Sequence, residues 1–152
     1  MKTIFLLFTI TLSITLQAFA QDSSPQVQAK LNHIAVAVTD LEESEEFYRD
    51  IIGLTQIEEP FGLGMHAWFD IGGGAELHVI AAADERTEHE ISSHLCFSVP
   101  DMDAFVQKLA DNGIPFYDFD ENEGEMTLRP DGVHQIYFTD PDGYWVEIND
   151  DF

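Results

Sequence analysis

The stretch HQIYFTDPDGYWVEIND, His134 to Asp150, decides how the rest of the chain is read. Two apolar and aromatic segments, His134 to Thr139 and Tyr144 to Ile148, flank Asp140-Pro141-Asp142-Gly143. Pro141 fixes its own φ and Gly143 tolerates a positive one, so the chain reverses there at little steric cost and a β-hairpin is predicted. In the second segment Val146 and Ile148 alternate with Trp145, Glu147 and Asn149, which sets Glu147 on the face opposite the aliphatic one. A carboxylate in mid-strand has to be solvated, paired with a cation or bound to a metal, because burying it alone is costly.

Working back from the hairpin, the same order of elements occurs twice. Leu31 to Val38 alternates strictly, with Ile34, Val36 and Val38 on one face and His33, Ala35 and Ala37 on the other. Thr39 and Glu42 form a predicted capping box for a helix that ends at Gly53, with Leu41, Phe47, Tyr48, Ile51 and Ile52 on its apolar side. Strands are predicted over Leu54 to Glu58, Met65 to Ile71 and Ala75 to Ala81. From Ser92 the pattern restarts: His33 to Asp40 (HIAVAVTD) matches His94 to Asp101 (HLCFSVPD) position for position. Asp101 opens a helix carrying Met102, Phe105 and Leu109 and closing at Gly113. A strand over Ile114 to Phe119 and an acidic connection over Asp120 to Gly132 lead into the hairpin. The predicted fold is α+β, two tandem βαβββ modules over residues 31–83 and 92–152, forming a curved mixed sheet with a concave cavity. Aligning the copies sets His134 opposite His66 and Glu147 opposite His78, with one extra residue in the second turn.

Strand parity places four groups on the concave side: His33, His78, His94 and Glu147. Around His33 and His94 the neighbours are small, Ala35 and Ala37 in one copy, Cys96 and Ser98 in the other. Three imidazoles and a carboxylate suit one divalent ion, Zn, Ni, Mn, Co or Fe(II), with positions left for water or substrate. Glu76 shares the face of His78 two residues earlier, so either is a candidate ligand. The same alignment places His66 and His134 on the helix side with Trp68 and Ile136. It turns Gln135, Tyr137, Ala67 and Phe69 toward the cavity, where Gln135, Tyr137 and Phe69 become candidate substrate-binding residues. Arg129, near the acidic connection, is a candidate grip for a substrate carboxylate. Cys96 beside His94 is expected to be a space-filling free thiol.

These segments, LNHIAVAVTDLEESEEFYRDIIGL, AELHVI, SHLCFSV and FTDPDGYWVEI in that order, resemble the vicinal oxygen chelate superfamily. It includes glyoxalase I, methylmalonyl-CoA epimerase, fosfomycin-resistance thiol transferases, extradiol dioxygenases and bleomycin-resistance proteins. The resemblance covers nearly all of Leu31 to Phe152, and the family's metal positions carry over onto His33, His78, His94 and Glu147. It implies a small-molecule substrate, a homodimer in which modules from two chains complete each cavity, and a metal-dependent lyase or isomerase nearest glyoxalase I. In such an enzyme a substrate with vicinal oxygens reacts through a metal-stabilised enediolate, with Glu147 as ligand or, detached, as general base. The alternatives are a non-catalytic binder of the bleomycin-resistance kind and an Fe(II) extradiol-type dioxygenase.

The beginning of the chain and its charge set the expected surroundings. Lys2, an apolar run from Ile4 to Leu16, and Ala18-Phe19-Ala20 before Gln21 predict a signal peptide over 1–20, followed by a polar linker over 21–30. The run is short for a membrane span, so a periplasmic or secreted protein without stable membrane association after cleavage is expected. With 29 acidic residues against 6 basic ones, the 152-residue chain carries a formal charge of −23, which argues against nucleic acid as a partner. Cys96 is the only cysteine, so the chain forms no internal disulfide.

Overall fold

Helix α1 begins at Leu41 because Asp40, in extended conformation, accepts the free backbone N–H groups of Glu42 and Glu43 at 3.1 and 3.2 Å. Thr39 is therefore not the cap; its hydroxyl and N–H both donate to Asp142 at 2.8 Å. The computed structural model describes residues 28–152, so the predicted signal peptide and most of the linker lie outside the described residues. Over Leu41–Glu46 α1 is α-helical; it widens to π-helix over Phe47–Ile52 and stops at Gly53, whose φ of 89° suits a residue without Cβ.

Strands β1 (His33–Val38), β2 (Thr55–Ile57), β3 (His66–Asp70) and β4 (Glu76–Ala81) form one sheet in the order β1-β4-β3-β2. β1 runs parallel to β4, the other neighbours antiparallel. The second half repeats the plan with β5 (His94–Ser98), helix α2 (Met102–Asp111), β6 (Thr127–Leu128), β7 (His134–Thr139) and β8 (Trp145–Asn149), in the order β5-β8-β7-β6. Two four-stranded mixed sheets with two helices give the α+β duplication that the repeat predicts. The strand expected over Ile114 to Phe119 reduces to isolated bridges at Tyr117, one to Glu123 and one to Tyr137, with which it exchanges hydrogen bonds at 2.8 Å. Pro115 has no N–H to offer a ladder, and the edge strand forms later, at Thr127 and Leu128.

The two β-hairpins have connections of equal length: β3 ends at Asp70 and β4 starts at Glu76, β7 ends at Thr139 and β8 starts at Trp145. No extra residue enters the second turn, so His66 is equivalent to Gln135, and Trp68 to Tyr137. This reverses the expected faces of β3. Trp68 is the register partner of His78 and shares its side, whereas Phe69 faces Leu77. Phe69 is wholly buried, 6.2 Å from the ring of Tyr48, and is a core residue rather than a substrate contact. Matching His66 to His134 gives a register one residue off; the ladder instead follows the apolar row of Ala67, Phe69, Leu77 and Val79.

One core serves both modules. Phe138 lies 6.1 Å from Phe47 of α1 and 6.0 Å from Phe105 of α2. Above it, α1 is tied to the β7–β8 turn: Ser44 donates to Asp142 at 3.1 Å and Tyr48 to Asp140 at 2.7 Å. Burial raises the Asp140 carboxyl above its usual range even though Tyr48 and two backbone amides donate to it. Gly143 has a φ of 91°, and a Cβ there would stand 2.3 Å from the carbonyl oxygen of Thr87, so the linker between modules crosses the turn at a point only glycine allows. None of the helices among the described residues is long and apolar enough to cross a membrane.

Candidate metal-binding site

The concave face of module two centres on Glu147, only 7% exposed. Its place follows from the strand period: Val146 and Ile148 enter the core, and Glu147 turns the other way, in register with Cys96 of β5 and Tyr137 of β7. Tyr137 donates to Oε2 at 2.6 Å, Asn149 Nδ2 to Oε1 at 3.0 Å and the Cys96 thiol to Oε1 at 3.3 Å. Gln135 in turn donates to the Tyr137 hydroxyl at 2.8 Å. Burial pushes the Glu147 carboxyl up, but the donors and the imidazole of His94 outweigh it, and its pKa is held below the usual value. The opposite happens to its donors. Burial, then the bond to Glu147, raises the Tyr137 phenol, and the same causes push the Cys96 thiol up to about 12. Cys96 is exposed rather than filling space as expected; its thiol serves as a hydrogen-bond donor to Glu147 and an acceptor from Asn149.

His94 completes this half. Its Nδ1 lies 2.7 Å from the carbonyl oxygen of Ile91 and so carries the proton in the neutral ring, leaving a lone pair on Nε2, 3.2 Å from Glu147 Oε2. Two acceptors at that distance repel each other unless a positive charge is present, either a second proton on the ring or a bound cation. The pair therefore fits a divalent ion on chemical grounds, with Ile91 holding the ring as a metal-ligating histidine is usually held.

Module one presents a corresponding arrangement. His33 has Nδ1 2.7 Å from Asn32 Oδ1, which again leaves Nε2 free. The His33 ring stacks on His78 at 4.4 Å, and His78 stacks on Trp68 at 3.9 Å, all nearly parallel. His78 Nε2 is bonded to Glu76 Oε2 at 2.9 Å, and Glu76 is the register partner of His33. Glu76 and His78 thus form one linked pair, and both remain candidate ligands. Among the described residues, no three His, Cys, Asp or Glu side chains converge on one point within a single chain. His33 with His78 and His94 with Glu147 stand as two half-sets on two sheets.

The remaining candidates separate clearly. Gln135 and Tyr137 lie on the concave face as expected, the second touching Glu147. Arg129 is half-buried and bound to Asp131, although its charge reaches Glu147 and Cys96. His66 lies on the concave side, not the helix side, with the Phe61 ring 5.8 Å away and Nδ1 3.7 Å from Glu59. His134 is exposed and paired with Asp150 at 2.9 Å. Three contributors were missed: Asn149, which the two-residue strand period places beside Glu147; Asn32, adjacent to His33; and Trp68, hidden by the register error. A cavity of about 750 Å³ lies elsewhere, between α1 and the turns at Gly113 and Pro141, and contains none of the four candidate ligands.

Comparison with known proteins agrees with this architecture. The model of the Glyoxalase/Bleomycin resistance protein/Dioxygenase superfamily matches residues 30–148, and the chain belongs to that superfamily. It is 28% identical to "Glyoxylase I 4" of Arabidopsis thaliana, over 82% of this chain and 72% of that protein. Among solved structures it is similar to a glyoxalase/dioxygenase from Nostoc punctiforme, with a TM-score of 0.68 and 26% identity over 85% of this chain and 95% of the other. It is also similar to Oxidase ChaP-H2, with a TM-score of 0.67 and 27% identity over 82% and 94%.

Proposed function

We propose that the chain is a metal-dependent lyase or isomerase acting on a small substrate with two adjacent oxygens, and that its site is completed by a second copy of the chain. The observation that carries this is the matched pair His33 and His94: each opens the first strand of its module, has Nδ1 fixed by a neighbouring oxygen and leaves Nε2 free. Since the ligands occur as two half-sets, a two-fold dimer that opposes module one of one chain to module two of its partner would unite them. His33, His94 and Glu147, with His78 or Glu76, would hold the ion. A divalent ion held there supplies Lewis acidity, which favours loss of a proton from carbon beside a carbonyl. Tyr137, Asn149 and Cys96 fix the carboxylate, Ile91 and Asn32 orient the imidazoles, and Gln135 orients the Tyr137 hydroxyl.

The test is calorimetric titration with Zn or Ni. One ion per chain is expected, with binding lost in both His33→Ala and His94→Ala. A heterodimer made from those two variants should recover one intact site, because a shared site leaves one module-one face and one module-two face unaltered. No binding by the wild-type chain, or none by the mixed dimer, would overturn the respective part of the proposal. The names of the two structural neighbours favour a second reading, an oxidative reaction at the same ligands; oxygen uptake with catechol and Fe(II) would support it. A chain that binds small molecules unchanged in His33→Ala, and no metal, would be a binder instead. Export is part of the proposal, resting on the leader composition, and cell fractionation tests it.

A further inference from the structure

The two concave faces differ in chemistry. The module-two face carries His94, Cys96, Ser98, Glu147, Asn149 and Gln135 together with Tyr137 and Trp145, a surface whose centre is polar because the Tyr137 hydroxyl is turned onto Glu147. On module one the row running across the sheet is Ala35, His78, Trp68 and Ile57. Trp68 is stacked on His78, and the ring of Phe61 stands edge-on to it at 5.9 Å. Phe61 is 61% exposed, and Leu63 and Met65 of the same loop are exposed too. The loop is not slack. Both oxygens of Glu59 accept from its backbone, from Phe61 N at 2.6 Å and Gly62 N at 2.9 Å, so the aromatic ring is held out beside Trp68.

Charge limits what such a surface accepts. The acids on the module-one face are Glu76 and Asp70, which share a row with His33, and Glu59, which holds the Phe61 loop beside His66; its imidazoles are His33, His66 and His78. The described arginines are all engaged: Arg49 is bound to Glu45 and Asp50, Arg86 to Glu43 and Arg129 to Asp131; of the lysines, Lys108 sits on α2 and Lys30 is exposed ahead of β1, three residues before His33. Beside Trp68 and Phe61 a thiol conjugate with several carboxylates would meet Glu59, Glu76 and Asp70 and no arginine that is not already paired, and discrimination by repulsion is as effective as attraction.

We propose that the module-one face, Trp68 with Phe61, receives a flat, uncharged aromatic ring, and that this is the substrate class of the site. The proposal rests on the reading of the concave faces as the site given above. Stacking of one ring on these side chains is worth about three- to tenfold in affinity beyond the area it buries. The probe is 1-naphthol, which is uncharged at neutral pH and does not chelate, set against S-hexylglutathione as the anionic conjugate, both titrated into the full chain with and without Zn. Saturable binding of 1-naphthol is expected with and without the ion, weakened about five- to tenfold in Trp68→Leu and in Phe61→Ala. S-hexylglutathione should show no saturation up to about 1 mM, the weak limit of specific binding.

If S-hexylglutathione binds as tightly as 1-naphthol, or if both variants stay within about twofold of the wild type, the proposal is overturned. Should Trp68→Leu fail to fold, Phe61→Ala decides, since that side chain is exposed and not part of the core. Failure of the metal reading looks different: no Zn is bound, yet 1-naphthol still depends on Trp68 and Phe61. Zn binding without 1-naphthol binding would sink this proposal alone.

Discussion

Replacing Asp142 by alanine should cost the protein a large part of its stability, because this carboxylate makes three of the hydrogen bonds that join the two modules. Asp142 is 2% exposed and accepts three hydrogen bonds from module one: the Thr39 N–H and hydroxyl at 2.8 Å and the Ser44 hydroxyl at 3.1 Å. Each hydrogen bond to a charged group contributes about 1.5–3 kcal/mol, and each buried partner left unpaired costs about 1–3 kcal/mol. The two hydroxyls can turn toward other acceptors while the Thr39 N–H cannot, and alanine escapes the cost of burying a charge, so about 3–4 kcal/mol is the expected net loss. For a domain of this size that lowers Tm by roughly 10–15 °C. Urea denaturation of Asp142→Ala, Ser44→Ala and the double variant measures it, with Ser44→Ala alone losing about 1 kcal/mol and much less when Asp142 is already gone. A loss below about 1 kcal/mol in Asp142→Ala, or strict additivity in the double variant, would refute the claim that these bonds hold the modules together.

Three further outcomes are expected. Gly143→Ala should destabilise by more than about 2 kcal/mol, from the positive φ alone plus displacement of the linker at Thr87, and limited proteolysis should then cut that linker faster. Phe69→Ala should lose about 3–5 kcal/mol in denaturation while leaving Zn affinity unchanged, which separates a core residue from a pocket residue. The folded Glu147 carboxyl titrates below its ordinary value of 4.5, so its stabilisation is complete above that pH and is lost as pH falls through the depressed folded value. The metal-free wild type should therefore weaken more than Glu147→Gln between pH 6 and about pH 3 in urea denaturation; equal losses would show that Glu147 is not so stabilised.

What was legible in the sequence followed strand period and turn chemistry. The duplication, the hairpin at Asp140 to Gly143 and the faces of β1, β4, β5, β7 and β8 all come from alternation that a single strand records by itself. The face of β3 could not be obtained that way. HAWFD places an aromatic residue on each side, Trp68 and Phe69, so its parity is fixed only by pairing with β4, and a chance match of His66 with His134 pointed to the wrong one. The N-cap failed for a related reason. Thr39 and Asp40 are both good caps, and the choice between them depends on Asp142, about a hundred residues away, which claims the threonine. Edge strand β6 carries too few residues to leave a pattern.

The carboxylate of Glu147 bears on the chemistry in a way its position alone did not reveal. A general base in this site would need freedom to turn and a proton affinity close to the working pH. In the metal-free chain both oxygens of Glu147 are engaged, one by a phenol at 2.6 Å, and these donors hold its pKa below the usual value. Those properties suit a fixed ligand, because a deprotonated, oriented carboxylate loses little on meeting an ion. On the proposed dimer the proton-accepting group would then come from the other half of the site, where Glu76 is the carboxylate beside His33 and His78. Its side chain is 37% exposed and, among the described residues, is hydrogen-bonded to His78 Nε2 alone, so fewer contacts hold it than hold Glu147.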